Sequence, residues 1–256
     1  MDLSGWLDPL PIWAVFLATV VVVLISAEIG YRIARYRSKR SAEEKEGPVG
    51  AMVGAMLGLL AFMLAFTFGL AASRFDDRRH VVLDEANAIG TTYLRAAMLP
   101  QTIGTASRDM LREYVDVRLE AAQAGRINEA ISKSEDLQNR LWSQAVTVTE
   151  TDRSPIASLY VQSLNEVIDL HAKRIMVAAQ SRVPGAIWIA LYLLAILAMS
   201  AMGYHQGLTS NKRSIALLGL IIAFSAVLIL VVDLDRPGEG LLRVSQKSMI
   251  DLRRSM

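Results

Sequence analysis

The sequence has no cysteine in its 256 residues, which excludes a disulfide scaffold, thiol chemistry and cysteine-ligated zinc or iron–sulfur centres. Histidine is scarce, and His80, His171 and His205 stand far apart in the sequence. His80 and His171 could meet in one helical bundle, but no further ligands accompany them, so a metal site is not expected. No Gly-rich phosphate loop, G-x-S-x-G or H-E-x-x-H occurs, so nothing suggests nucleotide binding, serine hydrolysis or zinc proteolysis. Neither an enzyme nor a cofactor is implied. The formal net charge is only +2, from 27 Lys and Arg against 25 Asp and Glu. That balance gives no case for a nucleic-acid partner.

Charge is also missing locally, and those gaps carry the information. Hydrophobic residues make up 53% of the chain, above the roughly 45–50% of soluble domains, and they fall in blocks. Ile12–Ile29 carries one charge, Glu28, while Val49–Ala72, Val183–Tyr204 and Ser214–Val232 carry none. A helix needs about 20 predominantly apolar residues to cross a bilayer core, and each block is long enough. The flank Met1–Pro11 has no Lys or Arg and carries Asp2 and Asp8, the wrong n-region for a cleaved signal. The first block therefore reads as a retained anchor. The lipid bilayer is the first partner, and a multi-pass membrane protein is expected. Glu28, near membrane depth, has Arg32 four residues on as an adequate partner at the interface.

Most of the charge lies in Ser73–Arg182, which reads as helical throughout. A first helix, Arg74–Leu99, runs straight out of the second span and stops before Pro100. In Ala106–Ala124, Met110, Tyr114, Val117 and Ala121 recur at helical spacing, and Gly125 is a natural stop. Ser132 followed by Glu135 has capping-box spacing and predicts a helix start there, running to about Val148. Ser154-Pro155 places a capping hydroxyl before an N1 proline. Glu85 and Asn87 sit in an otherwise apolar stretch as candidate hydrogen-bonding partners inside the bundle, and His171 reads as a packing histidine. The fold class is therefore all-α, with four spans and a helical bundle between spans 2 and 3. Its parts are 1–72 (tail and spans 1 and 2), 73–182 (bundle), 183–232 (spans 3 and 4) and a polar tail, 233–256. The tail contains a turn at Arg236-Pro237-Gly238 and a short amphipathic run. That run is expected along the bundle or, given Arg243, Lys247, Arg253 and Arg254, along the membrane surface.

Four spans put both termini and the bundle on one side. The loop Tyr31–Pro48 carries Arg32, Arg35, Arg37, Lys39, Arg40 and Lys45, and His205–Arg213 adds Lys212 and Arg213. Short basic loops stay cytoplasmic while long domains translocate largely regardless of charge. Loop charge thus puts the bundle outside the cytoplasm.

The second span is the most informative segment. Gly50, Gly54 and Gly58 recur every four residues, and Ala61, Ala65 and Ala72 continue that face. Small residues let helix backbones approach closely in lipid. Phe62 and Phe66 stand beside this stripe at the same four-residue step as Gly58. Ordinary packing with aromatic filler accounts for the pattern. So does a face that meets copies of itself around an axis, where a ring of phenylalanines forms a hydrophobic constriction able to gate by dewetting. Just beyond lie Arg74, Asp76, Asp77, Arg78 and Arg79. These charges can pair along the helix, Asp76 with Arg79 or His80 for example, or the arginines can face an aqueous vestibule and attract anions.

Phe62-Met-Leu-Ala-Phe66, eight residues before Arg74-Phe75-Asp76-Asp77-Arg78, resembles the neck helix of bestrophin anion channels. In that family an apolar residue and two phenylalanines at four-residue steps line the pore, shortly before an Arg-aromatic pair. Gly58, Phe62 and Phe66 match that row, and Arg74-Phe75 matches the pair. Asp233-Leu-Asp235-Arg-Pro237-Gly238 is similar to the acidic-x-acidic-x-Pro stretch after the fourth span of bacterial bestrophins. With Glu85-Ala-Asn-Ala-Ile89 and Leu241-Leu-Arg-Val-Ser-Gln246, the whole chain most closely resembles the bacterial bestrophin-like membrane family. The resemblance implies a homo-oligomer, a pentameric ring, with anions as the permeant partner and the bundle in the cytoplasm, opposite to the side that loop charge favours. Two departures stand out. Gly58 occupies the place of a bulky neck residue, and only Asp233, Asp235 and Glu239 follow the fourth span, few for a calcium ion that takes six to eight oxygens. The rival reading is a non-conducting membrane sensor or interaction protein whose bundle binds a ligand or partner.

Overall fold

The structure, a computed structural model, describes residues 10–38, 46–124, 127–152, 154–180, 182–209, 215–236 and 242–256. The acidic tail with Asp2 and Asp8, the loop residues Lys39, Arg40, Lys45, Lys212 and Arg213, Gly125, and the turn and tail residues from Pro237 to Leu241 lie outside that set. Every regular element among the described residues is an α-helix: α1 (Ile12–Ser38), α2 (Glu46–Ala96), α3 (Gln101–Ala124), α4 (Ile127–Thr151), α5 (Pro155–Gln180), α6 (Gly185–Thr209), α7 (Ile215–Asp235) and α8 (Lys247–Ser255). Four of them, α1, α2, α6 and α7, are long and apolar enough to cross a membrane. The chain divides into two compact units, Met1–Arg74 with Arg182–Leu242, and Phe75–Ser181 with Arg243–Met256. The long helix α2 contributes to both.

In the first unit α1 packs along α6 and also against α7. Lipid tails are as apolar as leucine, so close backbone approach and internal hydrogen bonds hold such helices together. The approach here is very close. A methyl group on Gly203 would fall 1.9 Å from the carbonyl oxygen of Ala27, and one on Gly30 equally near that of Ser200. Only glycine fits at either place. One α-turn further, Gly207 faces Ala34 and the backbone of Tyr31. The hydroxyls of Thr19 and Tyr192 meet across the same pair of helices at 3.0 Å. Ser26 donates to the carbonyl of Val22, and Thr67 to that of Met63, so these buried hydroxyls bond within the protein, as a hydrocarbon setting requires.

The second unit is a bundle of the C-terminal part of α2 with α3, α4, α5 and α8. Ile89, Leu111, Tyr114, Leu141, Tyr160, Leu164, Val167 and Met249 are fully buried in its core. Neighbouring helices α3 and α4, α4 and α5, and α3 and α8 pack directly. The predicted stop before Pro100 is realised as a tight turn, with the amides of Ala97, Met98 and Leu99 each bonded three residues back. The predicted start of α4 at Ser132 is corrected, since the helix begins at Ile127 and Ser132 lies inside it. Ala130 and Ser134 face the core and Glu129 pairs with Lys133 at 2.9 Å, so packing and an i,i+4 pair carry the helix past its apparent cap. The Ser154 hydroxyl lies 3.5 Å from the Ala157 amide, and Pro155 is the first helical residue of α5. The C-terminal run lies along the bundle. Met249 is buried there, Arg253 makes two hydrogen bonds to Asp116, and Tyr93 and Arg112 donate to the Met256 backbone oxygen.

Candidate functional site

Along the membrane part of α2, two faces differ sharply. Val53, Leu60, Leu64, Thr67 and Ala71 are buried within the chain. Gly54, Gly58, Ala61 and Ala65 are exposed, and a methyl added to Gly54 or Gly58 would meet nothing within 4 Å. Phe62 and Phe66 are exposed on this side to 65% and 57%. Gly50 is set apart from the other two glycines, because a methyl there would come within 3.0 Å of His205 Nε2 on α6. The small-residue face proposed from sequence is thus largely uncovered by the described residues of its own chain. The tight small-residue contact inside the chain is that of α1 with α6.

The charges that follow are also distinguishable. Arg74 is half-exposed, Arg79 is exposed, and Arg78 is buried at 7% exposure. Among the described residues Asp76 and Asp77 make no ion pair with Arg74, Arg79 or His80. The two acids after the fourth span hold backbone: Asp235 Oδ1 accepts from the Val183 amide at 2.6 Å, and Asp233 Oδ2 from the Leu242 amide at 3.0 Å. Both carboxylates are buried, so they fix the start of α6 and the chain leaving α7. Among the described residues no group of three or more His, Asp or Glu could hold a metal ion.

The bundle contains a buried polar cluster centred on Glu85, which is completely shielded from solvent. Arg174 Nη1 donates to Glu85 Oε2 at 2.5 Å, and Arg118 Nε lies 3.3 Å from Oε1, an ion pair without hydrogen-bond alignment. The Tyr114 hydroxyl donates its one proton to Glu85 Oε1 at 2.9 Å, so its contacts with Gln138 Nε2 (3.3 Å) and His171 Nδ1 (3.1 Å) must be ones it accepts. That bookkeeping places the histidine proton on Nδ1 and leaves the buried Nε2 without a partner. Burial, with Arg118 beside it, holds the His171 pKa down to about 4. Burial and the Glu85 charge push the Tyr114 hydroxyl up, and burial lowers Arg118. Two guanidinium groups therefore share one carboxylate, leaving one excess positive charge inside the bundle. Arg174 also reaches Gln246 Oε1 at 3.3 Å, just ahead of α8.

Of this cluster, the sequence pointed to Glu85 as a bundle partner and placed Tyr114 and His171 on packing faces. Asn87, paired with Glu85 in that expectation, is exposed instead. Arg118, Arg174 and Gln138 went unrecognised. A signal was present, since Arg118 follows Leu111 and Tyr114 on the buried stripe of α3, and Arg174 follows Leu164, Val167 and His171 on that of α5. A charged residue on a buried stripe demands a buried partner.

The fold has known counterparts. Two crystal structures of a bacterial bestrophin homolog from Klebsiella pneumoniae, one a single-substitution variant and one phased with zinc, superpose with a TM-score of 0.66. Both are 15% identical, and the match covers 95% of this chain with 97% and 96% of theirs. A structure described only as a membrane protein matches at TM-score 0.61 and 16% identity, over 95% of this chain and 96% of its own. No curated protein matches. The model of the bestrophin-like domain matches residues 13–249, and with that span covered, the chain belongs to the bestrophin-like family.

Proposed function

We propose that the protein is an oligomeric anion channel of the chloride type, formed by a symmetric ring of subunits in the bacterial inner membrane. Its axial neck is built from Gly58, Phe62 and Phe66 of α2. The observation that carries this reading is the uncovered face of α2. A glycine stripe turned to lipid weakens the helix and forgoes dispersion contacts, a cost offset when a neighbouring subunit or an axial pathway lies against it. Gly54, Ala61 and Ala65 supply the close approach, and the two phenylalanine rings narrow the axis. Arg74, half-exposed and not paired with the nearby acids, gives the mouth its positive field, to which the buried Arg78 adds at longer range. Membership of the bestrophin-like family supports the same reading, and the resemblance to bestrophin channels favours five subunits.

The test is chloride flux from proteoliposomes containing protein whose subunit number has been fixed by mass measurement in detergent. Wild type is expected to conduct, and the Phe62→Ala/Phe66→Ala double variant to change gating or anion selectivity. Absence of flux from well-folded rings overturns the channel reading. The cysteine-free sequence also allows single cysteines at the exposed positions Asn87 and Tyr36 to report which side of the membrane holds the bundle.

A further inference from the structure

Arg118 is buried in the bundle, yet its guanidinium donates no hydrogen bond to any described residue. Its Nε meets Glu85 only as the misaligned ion pair and is otherwise without a partner. Among the described residues Glu85 is the one acid that acts on Arg118, and Glu85 already holds Arg174. A second unpartnered donor belongs to the same level of the bundle. Helices α3 and α4 pack directly, with only Gly125 and Arg126 between them in sequence, so they run antiparallel. Gln138 Nε2 on α4 reaches the Tyr114 hydroxyl on α3 at 3.3 Å. One turn forward along α3 is one turn back along α4, which sets Arg118 at the level of Ser134. Ser134 is fully buried and its hydroxyl has no partner, whereas Thr92 and Ser163 in the same bundle donate to carbonyls of their own helices. Gln138 Nε2 also keeps a second N–H beyond the one given to Tyr114. Donors thus gather at this level without an acceptor, beside two guanidinium groups that share one carboxylate.

We infer that Arg118 and Ser134 hold one small monovalent anion of the halide class between α3 and α4. Water satisfies N–H groups but leaves the buried excess charge, and an uncompensated charge is the larger cost. A halide accepts from the guanidinium and the hydroxyl and neutralises that charge. Ser134 is closed off from solvent, and Leu137 and Leu141 follow it in the core, so the acceptor is compact, a halide rather than a carboxylate or a phosphate. The ion belongs to the folded bundle and does not permeate. The inference is therefore independent of whether the protein conducts.

The experiment melts the full-length protein in detergent in sodium chloride and in sodium gluconate of equal ionic strength, and locates bromide by anomalous diffraction from crystals grown in sodium bromide. Chloride at about ten times its dissociation constant multiplies the weight of the folded state about elevenfold. For a chain of this size that raises Tm by about 3–6 °C over gluconate. Ser134→Ala, which removes one donor and leaves the fold intact, is expected to weaken chloride binding about tenfold, the value of one hydrogen bond to a charged group. Arg118→Met is expected to abolish the difference between the salts, and Glu85→Gln to enlarge it. The Phe62→Ala/Phe66→Ala variant is expected to keep the wild-type difference, because the ion is not in the neck. Bromide is expected between α3 and α4. Equal melting of wild type in the two salts, an undiminished difference in Arg118→Met, loss of the difference in the phenylalanine variant, or bromide absent from the hairpin each overturns the inference.

Discussion

Replacing Glu85 with glutamine removes the only negative charge from the buried cluster and keeps its shape. Glu85 is fully shielded, Arg118 is about nine-tenths buried, and Arg174 keeps 17% of its side-chain exposure. After the substitution two guanidinium groups face each other with no counter-charge. Removing one partner of a buried ion pair typically costs about 3–5 kcal/mol, because the charge left behind is desolvated and unpaired. For a chain of this size about 2–4 °C of Tm accompanies each kcal/mol, so Glu85→Gln is expected to lower the melting temperature by about 6–20 °C. Trp142 lies in the bundle, and with the other three tryptophans replaced by phenylalanine its fluorescence during thermal unfolding in detergent follows that unit. The surplus positive charge makes a sharper comparison. Arg118→Met leaves one carboxylate opposite one guanidinium and removes an arginine whose contact with Glu85 is poorly aligned. Its cost should be well below that of Glu85→Gln. The double variant should recover at least about 1.5 kcal/mol relative to the sum of the two singles. A loss below about 1 kcal/mol for Glu85→Gln, or an equal loss for Arg118→Met, refutes the charge accounting.

Two other perturbations test different parts of the molecule. The folded pKa of His171, about 4, lies below its ordinary 6.5, so between these values the unfolded chain binds the extra proton and stability falls as the pH drops. Arg118 on α3 and Arg174 on α5 oppose that proton, Glu85 on α2 favours it, and the neutral Tyr114 contacts the ring, so the net loss reaches about 3 kcal/mol by pH 4. Urea titrations at pH 7 and pH 5 should show that loss beginning in wild type and a shallower pH dependence in His171→Gln; identical slopes would contradict the assignment. In the membrane unit, Gly203→Val drives a side chain into the Ala27 carbonyl and should cost more than about 3 kcal/mol. Gly58→Val meets nothing in its own chain, so its effect should appear in subunit number or flux rather than in the melting of the monomer.

The four spans were legible because hydrocarbon imposes a one-dimensional rule: about 20 residues without charge, wherever the partner helix comes from. The bundle helices were legible for a similar reason, since their apolar stripes repeat locally. The start of α4 was misplaced because Ser132 and Glu135 satisfy a local capping rule, whereas the packing of Ala130 and Ser134 against other helices decides where the helix begins. The charge cluster was half legible. Glu85 stood out in an apolar stretch, but Arg118 and Arg174 looked like ordinary surface arginines because nothing nearby in sequence showed that their helical stripes were buried around a distant carboxylate.

The glycines show the same limit in its clearest form. Gly54 and Gly58 are spaced four apart, and so are Gly203 and Gly207, so spacing alone treats both pairs as helix-packing faces. Geometry separates them. Gly203 has a carbonyl 1.9 Å from where its side chain would begin, while a side chain begun at Gly54 or Gly58 would meet no described residue of another helix within 4 Å. The first pair is explained by α1 of the same chain. The second has no such neighbour among the described residues, and a helix carrying glycine on an exposed face loses stability unless a contact compensates. The proposed ring supplies that contact from outside the subunit. In that proposal a copy of α2 meets the demand with no new chemistry: the same stripe would provide the close approach, and the same four-residue step would align Phe62 and Phe66 on the axis it creates.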